Sequence, residues 1–302
     1  MSTPLSRGAG VRLLLLLLTS PPTFAQREVQ YAQYLANPLA INPAATGMRE
    51  NFHFNAVLRR QFIVGLQGLP ITQSFAMDGA VGRNKNIGLG VQGLNDRVSL
   101  NTALFATFSY IHQISETQKI SIGALGGINV LPNRSPIGFG AGVNKVLPSA
   151  GVGVFYEDEM IFGGVSMPEI IKQEAGYNSG SALLNYQRPL FIQAGLKMNA
   201  TEDVEFVPSV LITKPQNGRV RADLNALATL MRKVGAGVSV RFGTTTYWQG
   251  LLQYNASKNI QLGYTYSSRR VEDFWGSANP LPGSGKGIHE IVVTLQPNPK
   301  TP

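Results

Sequence analysis

The chain has 302 residues, of which only 14% are charged and 33 are glycine, with a formal net charge of +9 and no cysteine. Soluble domains average about 25% charged residues and ~7% glycine, so this is not the composition of an ordinary soluble surface. The missing cysteine excludes disulfides, thiol catalysis, cysteine-held metals and a lipidated N-terminal anchor.

The first element is an export signal. Arg7 and Arg12 supply a basic start, Leu13 to Leu18 an unbroken apolar core, and Thr23-Phe24-Ala25 the small residues of a cleavage site. That order is the pattern of a secretory signal peptide, with cleavage expected after Ala25. The apolar core is far shorter than the roughly 20 residues of a spanning helix. No other stretch approaches that length either, which rules out a helical membrane protein. Losing Arg7 and Arg12 takes the charge from +9 to +7. No Lys/Arg run exceeds two residues, so the basic balance points to anionic lipid head groups or an acidic partner rather than nucleic acid.

Next come Asn37-Pro38 and Asn42-Pro43. Each proline removes a backbone donor and holds the preceding asparagine out of helical conformation. Such a segment fits poorly into a hydrogen-bonded ladder. It is expected in the mouth or lumen of the fold, or at its rim.

Beyond residue 50 the chain alternates with period two, the mark of strands with one apolar side. In 119–129, Ile120, Ile122, Ala124 and Ile128 oppose Lys119, Ser121 and Asn129. In 188–199, Leu190, Ile192, Ala194, Leu196 and Met198 oppose Gln193, Gly195, Lys197 and Asn199. Segment 221–231 reads both ways. Leu224, Leu227 and Leu230 have helical spacing, yet Ala222, Leu224, Ala226, Ala228 and Leu230 form a comb against Arg221, Asp223, Asn225 and Thr229. The strand reading is preferred because the flanking segments are strands. In 233–242, Val234, Ala236, Val238, Val240 and Phe242 alternate with Lys233, Gly235, Gly237, Ser239 and Arg241, and in 258–267 Ile260, Leu262, Tyr264 and Tyr266 alternate with polar neighbours. Each comb is about ten residues, the length of a tilted membrane-spanning strand.

Turn signals separate the combs at Gly82–Asn86, Glu157-Asp158-Glu159, Gln216-Asn217-Gly218 and Gly243-Thr244-Thr245. Longer loops are expected over 130–148, 167–187 and 270–286, with a short helix over Met167–Gln173. Short turns alternating with long loops, about fourteen strands, and aromatics such as Tyr110, Tyr156, Trp248, Tyr254, Tyr264 and Tyr266 near strand ends together predict an all-β fold: a transmembrane antiparallel up-and-down β-barrel. A soluble sandwich would also alternate, but normally keeps a more charged outer face.

The run Gln33-Tyr34-Leu35-Ala36-Asn37-Pro38-Leu39-Ala40-Ile41-Asn42-Pro43-Ala44-Ala45-Thr46-Gly47 resembles the opening signature of the PorP/SprF family, Q-Y-x-x-N-P-x-x-x-N-P-A-x-x-G. Further similarity lies at Arg59, Gln61, Gly68, Pro70, Thr72 and Gln73, in Gly88-Leu89-Gly90 and Asn95-Asp96, in Gly151–Tyr156 leading to Gly164–Pro168, and in Gly263–Tyr266 and His289-Glu290-Ile291. The chain departs from that pattern in Phe62 for a tryptophan, in Asp78 for a histidine, and in the spacing from Gln61 to Gly68. The resemblance implies an outer-membrane component of the type IX secretion and gliding apparatus that assists export or surface attachment of a large secreted protein. It implies partners among periplasmic and outer-membrane components of that machine, outer-membrane lipid around the barrel, and no cofactor.

The chain then divides into a signal peptide over 1–25, an N-terminal periplasmic or plug segment over 26–50, a barrel over 51–296 and a C-terminal tail over 297–302. The candidate partner-binding or plug residues are Gln33, Tyr34, Asn37, Pro38, Asn42, Pro43 and Gly47.

Features that suggest chemistry have plainer explanations. Gly88–Gly93 fits G-x-G-x-x-G, but Ile87, Leu89 and Val91 continue a strand where a nucleotide site needs a helix. His53, His112 and His289 are scattered, Glu157–Glu159 reads as a solvated turn, and Ser109 near His112 lacks a third catalytic partner. Arg221, Asp223, Lys233 and Arg241 either line a pore or pair inside a closed barrel. The rival functions are a passive porin or hydrophobic-solute channel and a soluble periplasmic binding module.

Overall fold

The computed structural model describes residues 34, 36–61, 71–96, 101–131, 145–171, 173–175, 184–186, 188–216, 219–243, 246–268 and 287–296. The signal segment, Gln33 and the tail over 297–302 lie outside them.

Two short 3-10 turns open the described chain, η1 (Pro38–Ala40) and η2 (Pro43–Ala45). Each begins at a proline, whose fixed φ suits the first residue of a helical turn. Six strands then run in chain order: β1 (His53–Gln61), β2 (Ile71–Val81), β3 (Ile87–Asp96), β4 (Asn101–Gln113), β5 (Lys119–Leu131) and β6 (Lys145–Glu157). They are followed by β7 (Ile161–Met167), the small hairpin β8 (Gln173–Ala175) and β9 (Leu184–Tyr186), β10 (Leu190–Leu196) and its continuation β11 (Met198–Asn199). The last six are β12 (Val204–Lys214), β13 (Arg221–Leu230), β14 (Val234–Phe242), β15 (Tyr247–Ser257), β16 (Ile260–Ser267) and β17 (Ile288–Leu295).

Every neighbouring pair is antiparallel. β1 pairs with both β2 and β17, and β10 with both β7 and β12, so the ladder closes on itself. The result is a closed fourteen-stranded antiparallel barrel in which β10 and β11 count as one strand. Closure leaves the sheet with no edge strand, which is what permits strands to cross a bilayer.

Segment 221–231 is strand β13, bonded to β12 on one side and β14 on the other. Leu224 and Leu230 point out while Asp223 and Asn225 are buried inside. The helix expected over Met167–Gln173 does not form in the described residues. Met167 ends β7, the Ile170 amide donates to the Ala150 carbonyl at 2.8 Å, and Gln173 begins β8. Pro168 sits directly over Gly151, where a side chain on that glycine would meet its Cα at 2.5 Å. Pairing with the neighbouring strand outweighs the weak local helical preference.

The barrel is apolar outside and polar within. Ile122, Leu252 and Leu104 are more than half exposed on the outer wall. Asn55, Ser109, Thr213, Ser239 and Thr265 are almost wholly buried inside. Tyr110, Tyr156 and Tyr254 stand near one rim, and Trp248 and Tyr266 near the other, as interfacial girdles do. The connections 82–86, 114–118, 158–160, 200–203, 231–233 and 258–259 all fall on the rim where β1 begins and β17 ends. The longer connections all fall on the opposite rim. Outer-membrane barrels carry their short turns on the periplasmic side.

Candidate functional site

Among the described residues no three histidine, aspartate or glutamate side chains converge as a metal site would require. The feature that stands out is the N-terminal segment, which lies inside the lumen. Tyr34, Leu39, Ile41, Ala44, Ala45 and Met48 are all buried there, with Thr46 and Ala44 wholly inaccessible.

The barrel wall under this segment is made of small residues. η2 rests on β4, β5 and β6. A side chain built on Gly123 of β5 would come within 2.5 Å of the Ala44 Cα and amide nitrogen. One on Gly88 would collide with the Thr46 carbonyl, and one on Gly153 with the Asn42 amide oxygen. These glycines occupy inward positions where a polar side chain would otherwise sit, and they let backbone lie on backbone. Gly47 itself has φ of +71°, and an added Cβ would lie 2.7 Å from the Gly88 Cα.

Polar contacts fix the segment's register. Asn42 does two jobs: its Nδ2 donates to the Val154 carbonyl at 3.0 Å, and its Oδ1 accepts from the Ala44 amide at 2.9 Å. That second bond caps η2 in the manner of an asparagine at a helix start. Ser109 Oγ donates to the Thr46 carbonyl and Ser166 Oγ to the Ile41 carbonyl, both at 2.6 Å. The Gly47 amide donates to Asp78 Oδ2 at 2.7 Å. Asp78, one of the departures from the family pattern, therefore holds this turn from the wall.

A second group continues from it. Arg49 donates to the Ala36 carbonyl through both terminal nitrogens, at 3.2 and 3.1 Å, and contacts His53 Nε2. With Nε2 so engaged, His53 turns Nδ1 toward Asp78 Oδ1, 3.5 Å away. Burial pulls the Arg49 guanidinium below its ordinary range, while Asp78 and then Glu157 oppose the shift. Glu50 pairs with Lys119 of β5 at the edge of the group.

Tyr34 crosses to the other wall. Its ring packs with Ile41, Phe191 and Leu211, and its hydroxyl accepts from Asn225 Nδ2 of β13. Burial pushes this phenol well above the usual tyrosine range. Next to it, Arg241 Nη2 donates to Asp223 Oδ2 at 2.8 Å, its Nε to Asp223 Oδ1, and Nη1 to the Tyr247 hydroxyl at 2.6 Å. Asp223 and Arg241 are thus an internal pair, whereas Lys233 stands at the short-turn rim.

Of the seven sequence candidates, six are described and all lie in the lumen; Gln33 is outside the described residues. Asn42, Pro43 and Gly47 seat the turn, Tyr34 ties it across, and Pro38 borders a cavity of about 980 Å3 that opens at the short-turn rim. The sequence reading missed the glycine seat and the Arg49, His53 and Asp78 group. The inward parity of Gly88, Gly123 and Gly153 was the available signal.

The family model described as type IX secretion system membrane protein PorP/SprF matches residues 23–295. The chain belongs to the PorP/SprF family. This PorP/SprF barrel is a membrane component of the type IX secretion kind, and its fold and family place it in the outer membrane. No curated protein matches it. Among solved structures it is similar to the Acinetobacter baumannii outer membrane protein Omp33, at 6% identity and a TM-score of 0.49, over 82% of this chain and 98% of that one. It is similar too to the Ralstonia pickettii toluene transporter TbuX, at 13% identity and a TM-score of 0.49, over 91% and 95%.

Proposed function

We propose that this protein is a non-enzymatic component of type IX secretion that assists the export or surface attachment of secreted partner proteins, with its own lumen blocked. Its partners on this reading are periplasmic and outer-membrane components of the machine and a large secreted surface protein as cargo. The observation that carries it is the N-terminal segment laid on its glycine seat. Backbone-to-backbone contact at Gly123 and paired polar contacts through Asn42, Ser109, Ser166 and Asp78 suit a fixed filling rather than an open conduit. A fourteen-stranded barrel is wider than the roughly eight strands whose side chains alone fill the interior, so an inserted segment is what can block it.

The experiment replaces Asn37, Pro38, Asn42 and Pro43 together by alanine. Export of one or a few surface proteins should fail while the heat-modifiable barrel still assembles, and the purified native protein should conduct little in planar bilayers. Large, steady conductance by the native protein with an unchanged surface proteome would instead support a passive channel and overturn the proposal.

A further inference from the structure

The seated segment fills the lumen on the β2–β7 side. Beside it, at the short-turn rim, lies the cavity of about 980 Å3, walled by residues of β6, β7, β10, β12, β13 and β15 to β17 and floored by Ala36, Pro38, Ala45 and Met48. This is the upper end of the volume range of ligand sites, and large for a single ion.

Its charge is one-sided. Five cations line it: Arg49, Lys197, Arg232, Lys233 and Lys258. Two anions oppose them, Glu157 and Glu205, and Glu157 is already paired with Lys197. Arg49 is committed to Ala36 and His53. Among the described residues the side chains of Arg232, Lys233 and Lys258 have no such partner, and all three are exposed. Around them the wall presents the amides of Gln253, Asn259 and Gln296, which can bond to a peptide backbone.

The turn that carries two of the cations is unusual in its own right. The Lys233 amide donates to the Leu230 carbonyl at 2.8 Å, and the two residues between, Met231 and Arg232, have φ of 50° and 54°. A two-residue hairpin turn with both central residues left-handed is normally Asn-Gly, because larger residues are strained there. Here the strained positions hold a methionine and an arginine whose side chains border the cavity. Asn255 braces them, its Nδ2 donating to the Arg232 carbonyl at 2.5 Å. Non-glycine residues in this conformation collect at functional sites.

We infer that this vestibule is a docking site for an extended acidic segment of a periplasmic partner protein, with its carboxylates on Arg232, Lys233 and Lys258. The inference rests on the reading of the barrel as a partner-binding component. It commits to a site and a ligand chemistry that the reading leaves open.

The test uses the full-length barrel in nanodiscs and two fluorescein-labelled peptides, one alternating Glu and Gly, the other Lys and Gly. The acidic peptide should bind in a salt-sensitive way and the basic one should not. Replacing Met231→Asn with Arg232→Gly should raise the melting temperature and weaken acidic-peptide binding by about tenfold or more, the loss expected when charge-assisted contacts go. The triple variant Arg232→Glu, Lys233→Glu, Lys258→Glu should reverse the preference toward the basic peptide. Arg83→Glu with Lys85→Glu, on the other side of the same rim, should leave binding as it was. Equal binding of both peptides would overturn the inference. So would an equal loss from the Arg83 and Lys85 changes, or light scattering that shows the turn variants blocking association of two barrels instead. Export can remain intact while peptide binding fails, so this outcome is separable from failure of the secretion role.

Discussion

The two halves of the barrel wall obey the same alternation, yet one patch in each meets something different inside. Under the N-terminal segment, Gly88, Ser109, Gly123, Gly153 and Ser166 of β3 to β7 present no side chain or a hydroxyl to its backbone. On β13 to β15, Asp223, Arg241 and Tyr247 bond to one another instead. One patch receives backbone, the other is closed by its own side chains. The contrast teaches that inward residues of a barrel are chosen by what lies against them, while the outward ones answer to lipid.

The largest expected effect breaks the side-chain-closed patch. Asp223→Ala would leave the Arg241 guanidinium buried without its carboxylate, and losing one partner of a buried pair costs about 3–5 kcal/mol. Replacing both, Asp223→Leu with Arg241→Met, should recover most of that loss. Urea titration of the refolded barrel in lipid is the measurement, and equal instability of single and double variants would contradict the pairing.

A smaller effect tests the inside–outside assignment around that patch. Val238→Arg puts a charge on the lipid-facing wall, at about 2–4 kcal/mol near the bilayer midplane. Gln253→Arg, one strand away but bordering the vestibule at the short-turn rim, should stay within about 0.5 kcal/mol. Matching losses in the same titration would mean the faces are exchanged.

The smallest sharpens the other patch. Gly123→Val must push against Ala44, and overpacking costs about 1–3 kcal/mol. Gly126→Val, three residues along the same strand but with open space beyond its Cα, should cost no more than about 0.5 kcal/mol. A single cysteine at Thr46 should become reactive to a water-soluble maleimide in the Gly123→Val background alone. Silence in both backgrounds would show that the seat tolerates a side chain.

The outer wall was legible in the sequence. Alternation in 119–129, 188–199, 233–242 and 258–267 gave the strands because lipid imposes one requirement on every second residue. Even the ambiguous 221–231 resolves once its comb is weighed with its neighbours. The lumen was only partly legible, since contacts such as Asp78 to Gly47 or Ser166 to Ile41 join residues far apart in the chain. The pattern shows that Gly123 faces inward but not that Ala44 lies on it. The helix expected over Met167–Gln173 failed for the same reason, because a neighbouring strand claimed its backbone.

The bond between Tyr34 and Asn225 joins residues 191 positions apart. Loop-closure entropy grows slowly, by about 0.6 kcal/mol per doubling of the loop. This tie therefore costs little more than the seat contacts, which already span 112 residues from Asn42 to Val154 and 125 from Ile41 to Ser166. The N-terminal segment is bonded to β6 and β7 on one wall and to β13 on the other, so it acts as a strut across the bore.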